Sequence, residues 1–136
     1  MPELFVDTNI FLRYLTNDDP RKAQRAEALF KKAVVGRVTL ETSVLVVAEM
    51  VWTLESFYGL ARDDIAEKIG KILNTPNLHC EASAIVLEAL DLYADQNVDF
   101  IDAYHGVMLR GADDIRVVTY DRKHFERMDW LTVVEP

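Results

Sequence analysis

The sequence predicts an α/β sandwich with a mainly parallel sheet and helices on both faces. Three observations predict it. Short apolar, strand-like runs alternate with longer helix-like runs along all 136 residues. Such alternation builds parallel strands joined by helical crossovers. No linker, repeat or low-complexity segment interrupts it, so the expectation is a single domain, residues 1–136. Half of the chain (50%) is hydrophobic, enough for one real core at this length.

Leu4-Phe5-Val6 reads as a short buried strand ended by Asp7-Thr8-Asn9, and Ile10 to Leu15 resumes with helical apolar spacing. Asn17-Asp18-Asp19-Pro20 breaks that helix, with Asp19 as N-cap and Pro20 as the first residue of the next. Arg21 to Val35 is amphipathic, with Ala23, Ala26, Leu29, Phe30 and Ala33 on one side, and Gly36 ends it. Arg37 to Glu41 is a second strand. Thr42 or Ser43 caps a helix to about Phe57 that is apolar nearly all round, which predicts burial. Gly59 stops it. Asp63 and Asp64 open an amphipathic helix to about Leu73, ended by Asn74-Thr75-Pro76. Leu78 to Glu81 is a short strand, Ser83 caps a helix through Tyr93, and Asp99 opens another to about Arg110. Arg116 to Tyr120 is a strand ended by Asp121, Arg122 to Met128 a short helix, and Leu131 to Val134 a last strand.

Composition excludes a disordered or collagen-like chain. The lone Cys80 cannot form an internal disulfide, so a reducing compartment and an inert, buried thiol are expected. The N-terminal Met1-Pro2-Glu3 has no basic region followed by an apolar one, and the longest charge-free apolar stretch, Thr42 to Ala48, is too short to span a bilayer. A cytoplasmic protein without membrane contact is expected. The net charge of −8 argues, taken alone, against nucleic-acid binding. It fits either a solvated acidic surface or carboxylates arranged for metal.

Several acids are out of place for a plain surface. Asp7 and Asp121 each end a strand, and in a parallel sheet both emerge at the carboxyl edge, where ligands bind. Helix capping is the ordinary alternative for either. Glu49 is the only ionisable residue between Ser43 and Glu55. On a buried helix it requires a cation, a hydrogen-bond network or a metal; on a narrow exposed stripe it requires nothing. Asp99 and Asp102 share a helical face beside Ala103 and Gly106, whose small side chains admit close approach. Asp99 serves equally as an N-cap; Asp102 has no cap to make.

Four carboxylates at close quarters need counter-charge, and oxygen ligands without a cysteine pattern favour Mg²⁺ or Mn²⁺. The chemistry such ions serve is phosphodiester hydrolysis. Thr8 and Asn9 are placed to orient Asp7 or merely to start the helix, and Thr119 stands likewise before Asp121. Arg13, one to two turns after Asp7, is the best candidate for a backbone phosphate. The other cations (Arg21, Lys22, Arg25, Lys31, Lys32, Arg122, Lys123, Arg127) read mostly as solvated helix faces. His105 and His124 match no zinc spacing and read as structural or surface residues.

These motifs resemble the PIN-domain nucleases, specifically the VapC toxins of toxin–antitoxin pairs. Phe5-Val6-Asp7-Thr8-Asn9-Ile10-Phe11-Leu12-Arg13-Tyr14-Leu15 resembles that family's opening. Thr42-Ser43 to Glu49-Met50-Val51-Trp52-Thr53-Leu54 resembles its second acidic helix, Asp99-Phe100-Ile101-Asp102-Ala103 its third motif, and Thr119-Tyr120-Asp121 its fourth. The resemblance implies a three-layer α/β/α fold with a central parallel sheet. It implies a Mg²⁺- or Mn²⁺-dependent endoribonuclease with Asp7, Glu49, Asp102 and Asp121 as its catalytic, metal-holding residues and Asp99 as an outer contributor. It further implies a homodimer, a cognate antitoxin that blocks the acidic site, and operator DNA bound through that antitoxin. Two departures are small: His124 and Phe125 follow Asp121 later than in the commonest version, and Gly106 stands where many members have Ala.

Two other readings compete. A signalling receiver needs a pair of acids after the first strand and a strand-end Lys, and a phosphatase needs a second Asp where Asn9 stands. A catalytically silent PIN-fold binding scaffold is the remaining alternative.

Overall fold

A computed structural model describes residues 2–136, and these gather into two units, the residues up to Ser83 and Ala84–Pro136. The first unit runs β1 (Glu3–Phe5), α1 (Thr8–Thr16), α2 (Pro20–Val34), β2 (Thr39–Thr42), α3 (Val44–Ser56), α4 (Arg62–Leu73) and β3 (Leu78–Cys80). The three strands form a parallel sheet in the order β1-β2-β3. Leu4, Leu40 and Leu78 are in register across it, so one face carries a row of leucines. Leu40 and Leu78 are buried in that row.

Local chemistry sets the helix limits. Asp19 caps α2 by accepting the Lys22 N–H at 3.1 Å, with Pro20 at the first helical position. Ser43 caps α3 by accepting the Val46 N–H at 3.3 Å. Gly36 follows α2 with a φ of +77°, a left-handed turn that an L side chain rarely adopts. α1 packs on α2 and α3, and α3 on α4. The α1–α2 contact is aromatic: Phe11 stacks on Phe30 at 5.6 Å between centroids, and Tyr14 meets Phe30 edge-on at 5.1 Å.

The second unit holds α5 (Ser83–Asp95), α6 (Phe100–Met108), β4 (Val117–Val118), a 3₁₀ turn over Phe125–Arg127 and β5 (Val133–Val134). β4 and β5 pair in parallel, with Val117 opposite Val133. Every strand pairing among the described residues is therefore parallel, as the alternation predicts. No helix among them is long and apolar enough to cross a membrane.

The strand expected over Arg116–Tyr120 contracts to Val117–Val118, and three other elements differ from expectation. β1 is not buried: Leu4 and Phe5 are exposed and only Val6 beyond it is enclosed, because β1 is an edge strand of its sheet. α3 is not buried all round. Leu45, Glu49, Trp52 and Ser56 recur at helical spacing along an exposed stripe, while Val46, Val47, Met50, Val51 and Leu54 face the core. The helix expected over Arg122–Met128 shrinks to the single 3₁₀ turn, since Phe125 and Met128 alone give that run an apolar face.

Candidate metal centre

In the first unit, Asp7 follows β1 and caps α1, its Oδ1 accepting the Thr8 N–H at 2.7 Å. The chain just before it is fixed from both sides. Val6 N–H donates to the Glu41 carbonyl at 2.8 Å, and the buried Thr42 hydroxyl donates to the Val6 carbonyl at 3.1 Å. Asp7 is thus an exposed carboxylate on a pinned backbone, and Thr8 orients it through a main-chain bond. Capping and chemistry are compatible here, because the cap uses one oxygen.

Glu49 lies on the exposed stripe of α3 between Leu45 and Trp52. The sequence-based expectation of a buried carboxylate on this helix is corrected: water solvates it, and no compensating charge is required. Arg13 is engaged locally. Its Nη1 donates to Asp18 Oδ1 at 2.9 Å, and Asp18 Oδ2 accepts the Tyr58 hydroxyl at 2.6 Å. The Tyr58 hydrogen bond, then that from Arg13, hold the Asp18 carboxyl below its ordinary range, and Asp18 raises Arg13 in turn. Asn9 lines a cleft with Arg13, described below.

In the second unit the acids cluster. Asp99, Asp102 and His124 each offer one ligand atom, and these atoms lie within 4.8 Å of one another. Asp99 occupies the N-cap position of α6, yet its side chain makes no capping bond. Its backbone N–H instead donates to His124 Nδ1 at 3.3 Å, and its Oδ2 lies 3.3 Å from His124 Nε2. The imidazole therefore grips Asp99 at two points and orients it. Sequence reading set His124 aside as structural or surface; local spacing rules cannot pair residues so far apart in the chain.

Asp102 is partly enclosed at the first turn of α6. Burial pushes its carboxyl above the ordinary range; the charges of Asp99 and Asp121 push the same way, and His124 and His105 oppose them. Asp121 is exposed, and Thr119 shapes its turn. The Thr119 hydroxyl accepts the Asp121 N–H at 2.9 Å and donates to the Asp121 carbonyl at 3.2 Å. Thr119 thus acts on the backbone of Asp121, whereas the Thr8 N–H acts on the Asp7 side chain. Ala103 and Gly106 admit protein, not ligand: Gly106 packs on Met128 and Leu131, and the Trp130 indole donates to its carbonyl at 2.8 Å.

The donor chemistry of Asp99 and Asp102 fits a hard divalent cation; Asp121 is not among the converging ligand atoms, and only its charge is felt at Asp102. Asp99 and Asp102 offer oxygen ligands, and Asp102 is a carboxylate whose burial disfavours its charge, which a cation relieves. Cys80 is half-buried rather than fully buried as expected, and that burial pushes its thiol up.

Comparison with known proteins places this geometry in context. The PIN domain family matches residues 4–131. A VapC ribonuclease of Aquifex aeolicus (strain VF5) is 27% identical over 128 residues, covering 94% of this chain and 93% of that protein. A crystal structure of VapBC2 from Rickettsia felis, bound to a DNA fragment from their promoter, aligns over 100% of this chain and 99% of that one, at 15% identity and a TM-score of 0.39.

Proposed function

The chain belongs to the PIN domain family, and from that premise we propose that it is a VapC-type toxin, an endoribonuclease that hydrolyses RNA phosphodiester bonds with Mg²⁺ or Mn²⁺. The observation that carries this reading is the Asp99–Asp102–His124 group, gathered around a partly enclosed carboxylate with Asp121 close enough to raise it. The likeness to a VapC ribonuclease over nearly the whole chain supports RNA as the substrate.

In this reading Asp7, Glu49, Asp102 and Asp121 are the catalytic carboxylates, and Asp99 joins them as an outer ligand. When bound, the ion acidifies a water and offsets charge on the phosphate oxygens. Asp102 contributes a carboxylate that its surroundings leave short of counter-charge. His124 holds Asp99 in a fixed orientation, so the oxygen set is preorganised. Asp7 stands on a backbone fixed by the Val6 hydrogen bonds, with Thr8 and Asn9 opening the helix behind it. Thr119 fixes the turn that presents Asp121. The resemblance to VapC toxins extends the proposal to a single PIN domain over residues 1–136, a homodimer in the cytoplasm, and a cognate antitoxin that covers the acidic site and binds operator DNA.

Glu49→Gln tests the reading against a silent scaffold. Glu49 is exposed, so the variant should fold as the wild type does. We expect RNA cleavage to fall by about 100-fold or more, the scale of losing one preorganised charge contact in an active site. Unchanged cleavage and unchanged toxicity on expression would remove Glu49 from the machinery and favour the scaffold.

A further inference from the structure

In the first unit, α1 and α2 enclose a cleft of about 450 Å³ whose rim carries Asn9, Arg13, Lys22 and Arg25. Ile10 and Leu29 contribute to its apolar floor. Three cations and no carboxylate line it, in a chain whose net charge is −8. Lys22 and Arg25 are three residues apart on α2 and so share a face. Both are exposed, and among the described residues neither makes an ion pair. Elsewhere on the helices, Lys31, Lys68 and Lys71 each pair with an acid one turn earlier.

Their place on the helix is also unfavourable. The first turn of α2 contains Arg21 and Lys22 and no acid. Cations there oppose the helix dipole, at a few tenths of a kcal/mol or more. The Asp19 cap offsets part of that cost, and among the described residues the Lys22 and Arg25 side chains still make no ion pair of their own.

The geometry points to this cleft as a subsite for an RNA strand, in which Lys22 and Arg25 hold backbone phosphates beside the cleavage point and the apolar floor takes a base or ribose face. This rests on the nuclease reading above. A strand suits the cleft because its charge is strung out in single units, as the cations are, and cationic grooves with apolar floors track single strands in this way. The cleft also begins at Asn9, two residues after Asp7 on the same helix start. Six residues of helix place Arg13 about 9 Å along the axis from Asp7. Arg13 is tethered to Asp18, which leaves Lys22 and Arg25 as the cations free to move onto phosphate.

The test compares wild type with Lys22→Ala/Arg25→Ala and with a charge-matched control, Lys68→Ala/Lys71→Ala on α4. Cleavage kinetics are read on a single-stranded RNA that the wild type cuts, and binding is read on Asp7→Asn backgrounds over a salt series. The cleft variant should raise KM about tenfold with kcat within about twofold. Its salt slope, log K against log salt, should fall by about 1.4, two lost phosphate contacts at about 0.7 each. Arg25→Lys should retain most of the affinity, and the α4 control should match wild type. An active enzyme whose cleft variant keeps its KM and slope overturns the subsite while leaving the nuclease reading intact. So does a control that changes equally, or a cleft variant that keeps RNA but loses an Asp/Glu-rich peptide. A wild type that neither cuts nor binds RNA overturns the nuclease reading and this subsite with it.

Discussion

At the scale of single residues, His124 and Asp18 show how one contact sets the behaviour of a carboxylate. His124 holds Asp99 through both ring nitrogens. Its replacement by Ala should leave the carboxylates present but Asp99 loose, and cleavage should drop by about 10- to 100-fold, the usual cost of removing an orienting partner. Rates for His124→Ala and Asp102→Asn, measured side by side, check this: the ligand variant should lose more. Asp18 joins α1, Tyr58 and Arg13. Its folded pKa is depressed, so its contribution to stability is complete above the unfolded value of about 3.9 and is lost as pH falls through the folded value. Wild type should therefore lose more Tm than Asp18→Asn on acidification from about pH 5 to below the folded pKa, read by thermal melts across that range. Of the candidate acids, Asp7 and Asp121 were legible because strand ends are legible. For Glu49 the sequence leaves burial and an exposed stripe both open, and the structure takes the stripe, because hydropathy along a helix does not say which face finds a partner. The grip of His124 on Asp99 was illegible because it joins distant parts of the chain.

At the scale of elements, α6 carries the acids on one side and close packing on the other. A Cβ at Gly106 would overlap Met128 Sδ and lie 2.7 Å from its Cε. Gly106→Ala should therefore destabilise the second unit, since overpacking costs about 1–3 kcal/mol and exceeds the helix-propensity gain of about 1 kcal/mol. In a Met128→Ala background the clash is gone, and the same substitution should raise stability; denaturant midpoints of the four proteins check the sign change. Elements with chemical punctuation were readable in the sequence: Asp19-Pro20, Gly36 and Ser43 all act where their chemistry places them. Those resting on hydropathy alone were less so. Arg116–Tyr120 contracts to Val117–Val118, and Arg122–Met128 to one 3₁₀ turn. In the first, a side-chain bond competes with regular structure: Thr119 ties down the turn at Asp121.

At the scale of the whole chain, an acidic protein that acts on an acidic polymer needs its charge sorted. In the second unit Asp99 and Asp102 gather with His124, while Arg13, Lys22 and Arg25 collect around a cleft in the first. The family match runs from residue 4 to 131 and so draws on both units. The measurement that bears most directly on the account is cleavage of total cellular RNA by the purified chain, stripped of any co-purifying protein. It is run in Mg²⁺, Mn²⁺ and EDTA beside Asp7→Asn. The account predicts discrete fragments with either metal, none in EDTA, and none from the variant. Cutting that persists in EDTA or in Asp7→Asn would contradict it, as would intact RNA under every condition.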